Sequence, residues 1–372
     1  MDREKSLRVD AGGDLIDLSL GSSDLAAPGP AIEELRAAAS DPSTHGYSLF
    51  ASTRAFREAA AWYLADRLGV HLDPEEQILP LVGTQEAVAH LSLAILDPGD
   101  AVLIGDPHYP THAAGVRLAG GVPVSVPLLP ERDYTPDPDR VRAELKRPAR
   151  MLVISYPNNP TTGVATPGLL AELLDICRER GVLLVHDFPY LDITFDGHVA
   201  PSILQSPGAS ASAIELFTLS KSFNMGGFRL GFAAGSAAAL RALARVKAVV
   251  DFNQYLGIQR AGAVALRRWR DLVAPTVEIY RSRRDSTIAR LAAAGWSVPL
   301  PKATLYLWAR LPGGRADDRA FCRSLVAGTG VALAPGSGFG PAGSGHVRLA
   351  LVKPEPVLAE AVSRVADFLG AD

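Results

Sequence analysis

Short apolar runs that alternate with helical stretches are the feature that most constrains the fold of this chain. Each run is closed by Gly, Pro, Asp or Ser, which is typical of a strand buried on both faces of a sheet. Residues 166–180, between two of these runs, carry apolar residues at helical spacing. Parallel strands need a crossover, usually a helix, so the alternation predicts an α/β fold with a mostly parallel sheet. The predicted strands are residues 101–104, 151–155, 181–187 and 215–220.

The C-terminal third has a different pattern. Residues 241–290 are rich in Ala, Leu and Arg and favour long helices, and the short strand-like segments after them are separated by loops with Pro and Gly. This change predicts a second, smaller α+β domain that the N-terminal segment joins. We expect strand-like segments at residues 296–298, 304–309, 331–334 and 347–352, a large domain at 36–282, and a small domain formed by 1–35 and 283–372.

The composition excludes several classes of protein. The 372 residues are 48% hydrophobic and 21% charged, and the formal net charge of −3 gives no basic surface for nucleic acid or an anionic membrane. Neither an apolar leader nor a run of about 18 apolar residues occurs, so we expect a cytoplasmic protein that binds small molecules. Cys177 and Cys322 lack metal-site spacing and are expected to be reduced thiols.

Polar residues follow the predicted strands, where ligands of open parallel sheets bind. Gly83-Thr84-Gln85 precedes an apolar helical stretch, so backbone N–H groups and the Thr84 hydroxyl could bind a phosphate there. An ordinary helix cap has the same pattern. Tyr109 follows the strand at residues 101–104 and would by itself be a packing residue. Asn159 lies in the turn after residues 151–155, where its amide is free to donate a hydrogen bond.

Two charged residues lie in apolar segments and need partners. Asp187 ends the strand at residues 181–187, and it either caps the following turn or meets a cation such as a protonated ring nitrogen. Tyr190, three residues on, could reach an oxygen on the same ring. Arg348 lies within residues 347–352, where burial of its charge requires a carboxylate partner.

A lysine between two serines, in the string Ser220-Lys221-Ser222, is followed after glycines by Arg229. Such a lysine can bind a carbonyl cofactor covalently while the arginine binds the phosphate of that cofactor. A solvated loop lysine is the simpler alternative. The polar residues that follow the successive strands favour an enzyme that uses a Schiff base.

In order and type, these residues resemble the class I/II aminotransferase family of pyridoxal-phosphate enzymes, which have fold type I. The resemblance extends over residues 18–352. Within the family, the segments around Thr84 and Arg229 most resemble the branch that contains LL-diaminopimelate, aspartate and alanine aminotransferases. The resemblance implies a seven-stranded, mostly parallel sheet flanked by helices, a smaller α+β domain, and a homodimer with shared active sites. It rests on Asn158-Asn159-Pro160-Thr161, Asp187 with Tyr190, Ser220-Lys221 with Arg229, and Arg348.

The resemblance also implies a role for each site residue. Lys221 would form the Schiff base and then move a proton between the substrate Cα and the cofactor, while Asp187 would keep the pyridine nitrogen protonated. Asn159 and Tyr190 would bind the ring oxygen O3′, and Tyr109 would stack on the ring. The residues implied for the phosphate are Thr84, Gln85, Thr218, Ser220, Arg229 and Tyr47 of the partner subunit, and those for the substrate α-carboxylate are Arg348, Asn159 and the backbone near Gly21.

Transamination between a free α-amino acid and a 2-oxo acid is the favoured reaction. Elimination, replacement or cyclisation at Cβ or Cγ would use the same Lys221, Asp187 and Arg348 and is the alternative enzyme reaction. A non-catalytic regulator with this fold is a further alternative, which is disfavoured because we expect a complete set of cofactor residues and no DNA-binding extension. Ser52, where many relatives carry Gly, and residues 251–255 depart from the family pattern.

Two other kinds of motif are discounted. Residues 338–343 match GxGxxG, but a strand-like run follows them instead of a helix, so a loop that closes over the site fits better than a dinucleotide site. The histidines, His90 and His186 among them, show no metal-site spacing, and we expect no bound metal.

Overall fold

The computed structural model describes residues 2–370, which form an α/β fold. The strands are β1 (Ile16–Asp17), β2 (Ile78–Leu81), β3 (Ala101–Asp106), β4 (Val122–Pro127), β5 (Met151–Ser155), β6 (Leu183–Asp187), β7 (Ala213–Thr218), β8 (Gly231–Gly235), β9 (Tyr306–Arg310), β10 (Val331–Ala332), β11 (Ala334–Pro335) and β12 (His346–Ala350). The helices are α1 (Asp2–Asp10), α2 (Gly29–Ala39), α3 (Arg54–Leu68), α4 (Thr84–Ile95), α5 (Pro110–Leu118), α6 (Pro138–Glu144), α7 (Pro167–Arg180), α8 (Ala209–Ser212), α9 (Ala237–Val250), α10 (Leu256–Arg267), α11 (Trp269–Ala293), α12 (Asp318–Thr329) and α13 (Glu355–Gly370).

The main sheet has seven strands in the order β2-β8-β7-β6-β5-β3-β4. Only β8 runs antiparallel to its neighbours in this described sheet, so the prediction of a mostly parallel sheet is confirmed. The register pairs Ser155 of β5 with Asp187 of β6, and Asp187 with Leu216 of β7. The carboxyl ends of β5, β6 and β7 are therefore level, and the loops that leave them converge on one place.

The predicted strands lie in this sheet with shifted ends. Residues 151–155 are β5, as predicted. Gly181 precedes β6, because it ends α7 with a left-handed φ of 64°, a conformation that favours glycine. Ser220 lies beyond β7, whose last residue is Thr218. The sequence pattern does not indicate β2, β4 or β8, because β2 and β4 contain proline and β8 consists mainly of glycine and alanine.

A smaller antiparallel sheet of β11, β12 and β9 lies in the C-terminal third. β1 pairs in parallel with β10, so the N-terminal segment joins this region. The prediction of a strand at residues 296–298 is wrong, because that described segment is irregular. Trp296 is buried there, and its Nε1 donates a hydrogen bond to the Arg310 carbonyl over 2.8 Å. The domain limits at residues 36–282 stay a prediction.

Apolar clusters cover both faces of the main sheet. Leu152 and Ile154 of β5 belong to one cluster, while Met151 and Val153 belong to the other, as the alternation of side chains along a strand requires. A third cluster packs the small sheet against α12 and α13. Cys177 and Cys322 are buried free thiols, as expected. Within residues 2–370 no helix is both long and apolar enough to cross a bilayer.

The GxGxxG-like loop packs against the end of β3, where β3 approaches the site. The N–H of His108 donates to the Phe339 carbonyl over 2.8 Å, and the Ala342 N–H donates to the Asp106 carboxylate over 3.3 Å. Gly340 has a φ of 129°, and a Cβ added there would lie 2.1 Å from Asp106 Oδ1, so only glycine fits. The loop therefore joins the two sheets, and the expectation that a strand, and not an α-helix, follows it is confirmed by β12, whereas closure of the loop over the site stays a prediction.

Candidate functional site

One cavity of about 420 Å³ lies at the carboxyl ends of β5, β6 and β7, between the main sheet and the small sheet. The structure brings together in its wall all but one of the predicted site residues. They are Gly21, Thr84, Gln85, Tyr109, Asn159, Asp187, Tyr190, Thr218, Ser220, Lys221, Arg229 and Arg348. Tyr47 is the exception. Its side chain is 91% exposed on this chain, beside the ring of Phe252, which agrees with its expected role toward a partner subunit but does not test it.

One end of the cavity is built to bind an anion. The helix α4 begins at Thr84, so its free N–H groups and the positive end of its dipole face the cavity. Arg229 has a left-handed φ of 52°, and its Nη1 donates to the Gly226 carbonyl over 2.9 Å. Thr218 and Ser220 add two hydroxyls, 2.9 Å apart. A guanidinium, a helix N-terminus and hydroxyls at one point suit a phosphate.

Gly83 makes this arrangement possible. Its φ is 75°, and a Cβ added there would lie 2.4 Å from Nη2 of Arg229. The backbone and the guanidinium can therefore approach each other only because no side chain stands between them.

The carboxylate of Asp187 lies in the floor of the cavity at the end of β6. Its Oδ2 accepts a hydrogen bond from His112 Nε2 over 2.9 Å, and both side chains are buried. Its Oδ1 is buried and has no hydrogen-bond partner among residues 2–370. A buried carboxylate oxygen without a donor is costly, so this atom needs a ligand that donates a hydrogen bond. A protonated ring nitrogen is such a donor, whereas the alternative of a turn cap would have used the atom locally.

Lys221 reaches the cavity from the loop after β7. Its Nζ donates to the Gly21 carbonyl over 2.6 Å, so the amine is held at the wall formed by residues 20–23. Tyr190 donates from its hydroxyl to that of Tyr306 over 3.1 Å. Burial raises the pKa of Tyr190 well above its usual range. Burial also opposes ionisation of Tyr306, but the positive charges of Arg348 and Lys221 bring the pKa of that hydroxyl below its ordinary value.

Arg348 forms the opposite end of the cavity. Its Nη1 donates to Asn159 Oδ1 and its Nη2 to the Ser19 carbonyl, each over 2.7 Å. Both acceptors are neutral oxygens, and the buried Nε has no partner in the described part of the chain. The guanidinium also packs on the ring of Tyr306, 4.2 Å from its centroid. A buried guanidinium with neutral acceptors remains able to bind a carboxylate, which here would come from a ligand.

Two site residues, His112 and Tyr306, are not indicated by the sequence. His112 lies 75 positions before Asp187, and Tyr306 lies 116 positions after Tyr190. No local pattern connects such distant residues. An apolar strand with one tyrosine, as in β9, is typical of an ordinary core strand.

Two histidines away from the cavity, His186 and His90, lie beside acidic side chains. His186 is buried, with Nδ1 2.8 Å from Glu215 Oε1 and Nε2 beside the Tyr156 backbone. Glu86, His90 and Asp251 place potential metal ligands within 4.8 Å of one another. The ammonium of Lys247 lies 2.6 Å from Glu86 Oε1 and 3.1 Å from Asp251 Oδ1, so a cation already balances this cluster.

The donors of the cavity fit pyridoxal phosphate, the cofactor that the sequence resemblance implies. A phosphate matches Arg229 and the α4 N-terminus, and a protonated pyridine nitrogen matches the unpartnered oxygen of Asp187. An aldehyde carbon can bond to the amine of Lys221. The guanidinium of Arg348 is then left for a substrate carboxylate.

Comparisons with known proteins agree with this site. The family model of aminotransferase class I and II matches residues 13–365. The LL-diaminopimelate aminotransferase of Desulforudis audaxviator is 40% identical over 96% of this chain and 91% of its own length. That of Nitratidesulfovibrio vulgaris strain DP4 is 39% identical over 98% and 94%. Among solved structures, a probable N-succinyldiaminopimelate aminotransferase from Thermus thermophilus is 44% identical with a TM-score of 0.93, each chain covered to 98%. Substrate-bound BacF from Bacillus subtilis is 30% identical, with a TM-score of 0.94 over 99% of this chain and 93% of its own.

Substitution of Gly83 tests the anion end of the cavity. We expect Gly83→Ala to raise the dissociation constant for pyridoxal phosphate about ten-fold or more, because the added methyl displaces Arg229. Titration of the apo-protein with the cofactor, followed by protein fluorescence, measures this constant.

Gly69→Ala is the matched control. Gly69 also has a positive φ, 68°, but a Cβ there meets nothing within 4 Å. This variant should lose about 1 kcal/mol of stability through backbone strain and bind the cofactor as the wild type does. Equal cofactor affinity in the two variants would contradict the assignment of Gly83.

Proposed function

The chain belongs to the aminotransferase class I and II family, whose activity is pyridoxal-phosphate-dependent transamination, and on that premise we propose how its own residues perform the reaction. The observation that carries the proposal is the placing of charges in one cavity. Asp187 lies at the floor, Lys221 at the wall, and a guanidinium at each end. This arrangement matches an amino-acid substrate bound between a cofactor and Arg348.

The cofactor, when bound, offers a conjugated electron sink that allows the Cα proton of an amino acid to leave. Asp187 holds a proton on the pyridine nitrogen, because its negative charge favours the protonated form. His112 keeps the carboxylate in place through the 2.9 Å hydrogen bond to Oδ2, so that Oδ1 is left to face the ring. Asn159 and Tyr190 would bind the ring oxygen, and Tyr109 would lie against the ring.

The phosphate is held by the α4 N-terminus and Arg229. Thr84, Thr218 and Ser220 contribute hydroxyls and Gln85 its amide, which also accepts a hydrogen bond from Tyr109 over 3.3 Å. With the phosphate held at one end and the ring nitrogen at the floor, Lys221 would be the residue of the wall that meets the reactive carbon of the cofactor.

Arg348 binds the α-carboxylate of the substrate, with the amide of Asn159 beside it. With its carboxylate held by Arg348 and its amino group at the cofactor, the substrate would direct its Cα–H bond toward the amine of Lys221. The amine of Lys221 would take the proton from Cα as a general base and would then donate it to the cofactor as a general acid.

We further propose that the working enzyme is a homodimer in which Tyr47 of the partner subunit reaches the phosphate. Tyr47, Leu49, Phe50 and Phe252 expose apolar surface on the single chain. Such a patch is costly in water unless another surface covers it. A symmetric second copy would cover it and bring each Tyr47 to the cavity of the other subunit.

The substrate proposed is an amino acid without a free distal ammonium. The charged residues that line the cavity in the described chain are Asp187, Lys221, Arg229 and Arg348, and each already has a role. On this chain a distal ammonium, as in LL-diaminopimelate, would find no carboxylate in the cavity wall. In N-succinyldiaminopimelate, named for the Thermus thermophilus relative, an amide replaces that ammonium, and the two carboxylates of this compound besides its α-carboxylate would lie toward the partner subunit or solvent. The uncharged Ser22 in the wall suits an amide, whereas Ser23 and Asn224 are hydrogen-bonded to each other over 2.8 Å.

A half-reaction screen tests the reaction and the substrate together. Holoenzyme is mixed with single amino acids in the absence of a 2-oxo acid, and the released product is identified by its mass. We expect the 2-oxo acid of N-succinyl-LL-diaminopimelate, formed about ten-fold or more faster than that of LL-diaminopimelate, because an unpaired buried ammonium is costly. An elimination product would contradict transamination, as would a ring-closed product from N-succinyl-LL-diaminopimelate, whose distal amine is acylated. The 2-oxo acid of LL-diaminopimelate itself closes to a six-membered cyclic imine with loss of water, so that product counts as transamination. Faster turnover of LL-diaminopimelate would contradict the substrate proposal.

Mixed dimers test the shared site. Lys221→Ala and Tyr47→Ala chains, each with little activity alone, should regain activity when co-expressed, because one site of the mixed dimer has both native residues. Lys221→Ala with Asp187→Asn is the control, since both residues serve the site of their own chain and no native site can form. Activity is measured on mixed dimers purified through two different tags. Equal results for the two mixtures would count against a role of Tyr47 across the interface.

A further inference from the structure

The helix α1 is a polar helix, Asp2–Asp10, that buries none of its residues. One of its side chains is nevertheless directed inward. The side chain of Lys5 is only 11% exposed, and its Nζ lies 2.9 Å from Asp17 Oδ2 and 2.7 Å from the Ser19 hydroxyl. Asp2, 3.6 Å away, is its other ionic neighbour and is fully exposed. A helix that covers no core is thus attached through a nearly buried ammonium.

Asp17 connects Lys5 to the backbone of Ser19. Asp17 Oδ1 accepts hydrogen bonds from the Ser19 N–H over 2.9 Å and from the Ser19 hydroxyl over 2.7 Å. Burial of Asp17 opposes its negative charge, but the hydrogen bonds from Ser19 and Lys5 bring the pKa of Asp17 below its usual value. Ser19 is therefore held by both its N–H and its hydroxyl, directly before the carbonyl that Arg348 contacts.

The carbonyl of Ser19 is the acceptor for Nη2 of Arg348 over 2.7 Å. The segment is in sheet contact only as far as Leu18, whose N–H donates to Ala332 and whose carbonyl accepts from Ala350. Beyond Leu18 the backbone leaves the sheet and continues to Gly21, whose carbonyl accepts from Lys221. The hydrogen bonds from Lys5 and to Asp17 hold Ser19, which directly follows the last residue that is hydrogen-bonded to the neighbouring strands.

We propose that Lys5 is a positioning residue for the substrate α-carboxylate, acting through Asp17 and Ser19 on the direction of the Arg348 guanidinium. The inference rests on the proposed function of Arg348. The Ser19 carbonyl and Asn159 hold the two terminal nitrogens of the guanidinium, so a shift of Ser19 rotates the plane that the carboxylate must meet. Bidentate pairing between a guanidinium and a carboxylate is sensitive to this orientation.

Arg8 is the matched control on the same helix. It lies one turn further along α1 and contacts Asp14 and the Ala327 carbonyl at 3.3–3.4 Å, away from Asp17 and Ser19. Removal of either cation loosens α1, but only Lys5 touches the segment that binds Arg348. A merely structural role of α1 would make the two variants alike.

The experiment compares Lys5→Met and Arg8→Met holoenzymes. Single-turnover mixing with N-succinyl-LL-diaminopimelate gives a half-saturating concentration and a limiting rate. Calorimetric titration with glutarate, a carboxylate without an amino group, gives a binding constant without reaction. We expect Lys5→Met to raise both the half-saturating concentration and the dissociation constant for glutarate about five-fold, and to leave the limiting rate unchanged. The reason is that the hydrogen bond from Arg348 to the Ser19 carbonyl is no longer held in position. Arg8→Met should match the wild type.

Three other outcomes would overturn the role of Lys5. They are equal weakening in both variants, wild-type binding in both, and a fall in the limiting rate alone. Lys5→Arg keeps a cation near Asp17 and should recover part of the binding. If Lys5→Arg binds as weakly as Lys5→Met, the role of Lys5 is also overturned.

Arg348→Met separates this inference from the proposed function. If that variant binds glutarate and substrate as the wild type does, the carboxylate site itself is wrong. If it loses binding while Lys5→Met does not, only the role of Lys5 is wrong. Thermal unfolding of each holoenzyme shows that the compared proteins are folded.

Discussion

The structure depends on two buried charged groups that the protein itself does not fully pair. Asp187 keeps one buried carboxylate oxygen without a donor, and Arg348 has only neutral acceptors for its guanidinium, within residues 2–370. Such groups cost several kcal/mol when left unpaired in a protein interior. In the proposed function, a cofactor and a substrate of opposite charge complete them. Binding and catalysis would then depend on the same buried charges.

The main sheet and the small sheet each contribute residues to this site. The level ends of β5, β6 and β7 place Asp187 and Lys221, whereas Arg348 and Tyr306 come from β12 and β9. The N-terminal segment links the two, since Ser19 binds Arg348 and Gly21 binds Lys221. A change of a few tenths of an ångström in any of these elements alters the angle between the substrate and the catalytic amine. In the further inference, the polar helix α1 acts on this geometry through Lys5.

The sequence predicts the residues that carry the chemistry of the site better than it predicts the residues that hold them in position. Asp187 and Lys221 follow apolar runs, and a charged residue at the end of a buried strand has few explanations other than a ligand. His112, Tyr306 and Lys5 act through partners 75, 116 and 12 positions away, and nothing in their local sequence marks them. The error at Trp296 has a related cause. An apolar segment can be buried without belonging to a sheet, and only its tertiary neighbours decide between the two.

The central claim is that Lys221 is the residue that carries the cofactor. Reduction of the holoenzyme with borohydride, followed by proteolysis and mass measurement of the peptides, tests it directly. We predict a single phosphopyridoxyl group, located on the peptide that contains Lys221. Its appearance on another lysine, such as Lys247 or Lys5, or its absence from every peptide of a protein that retains bound cofactor, would contradict this claim.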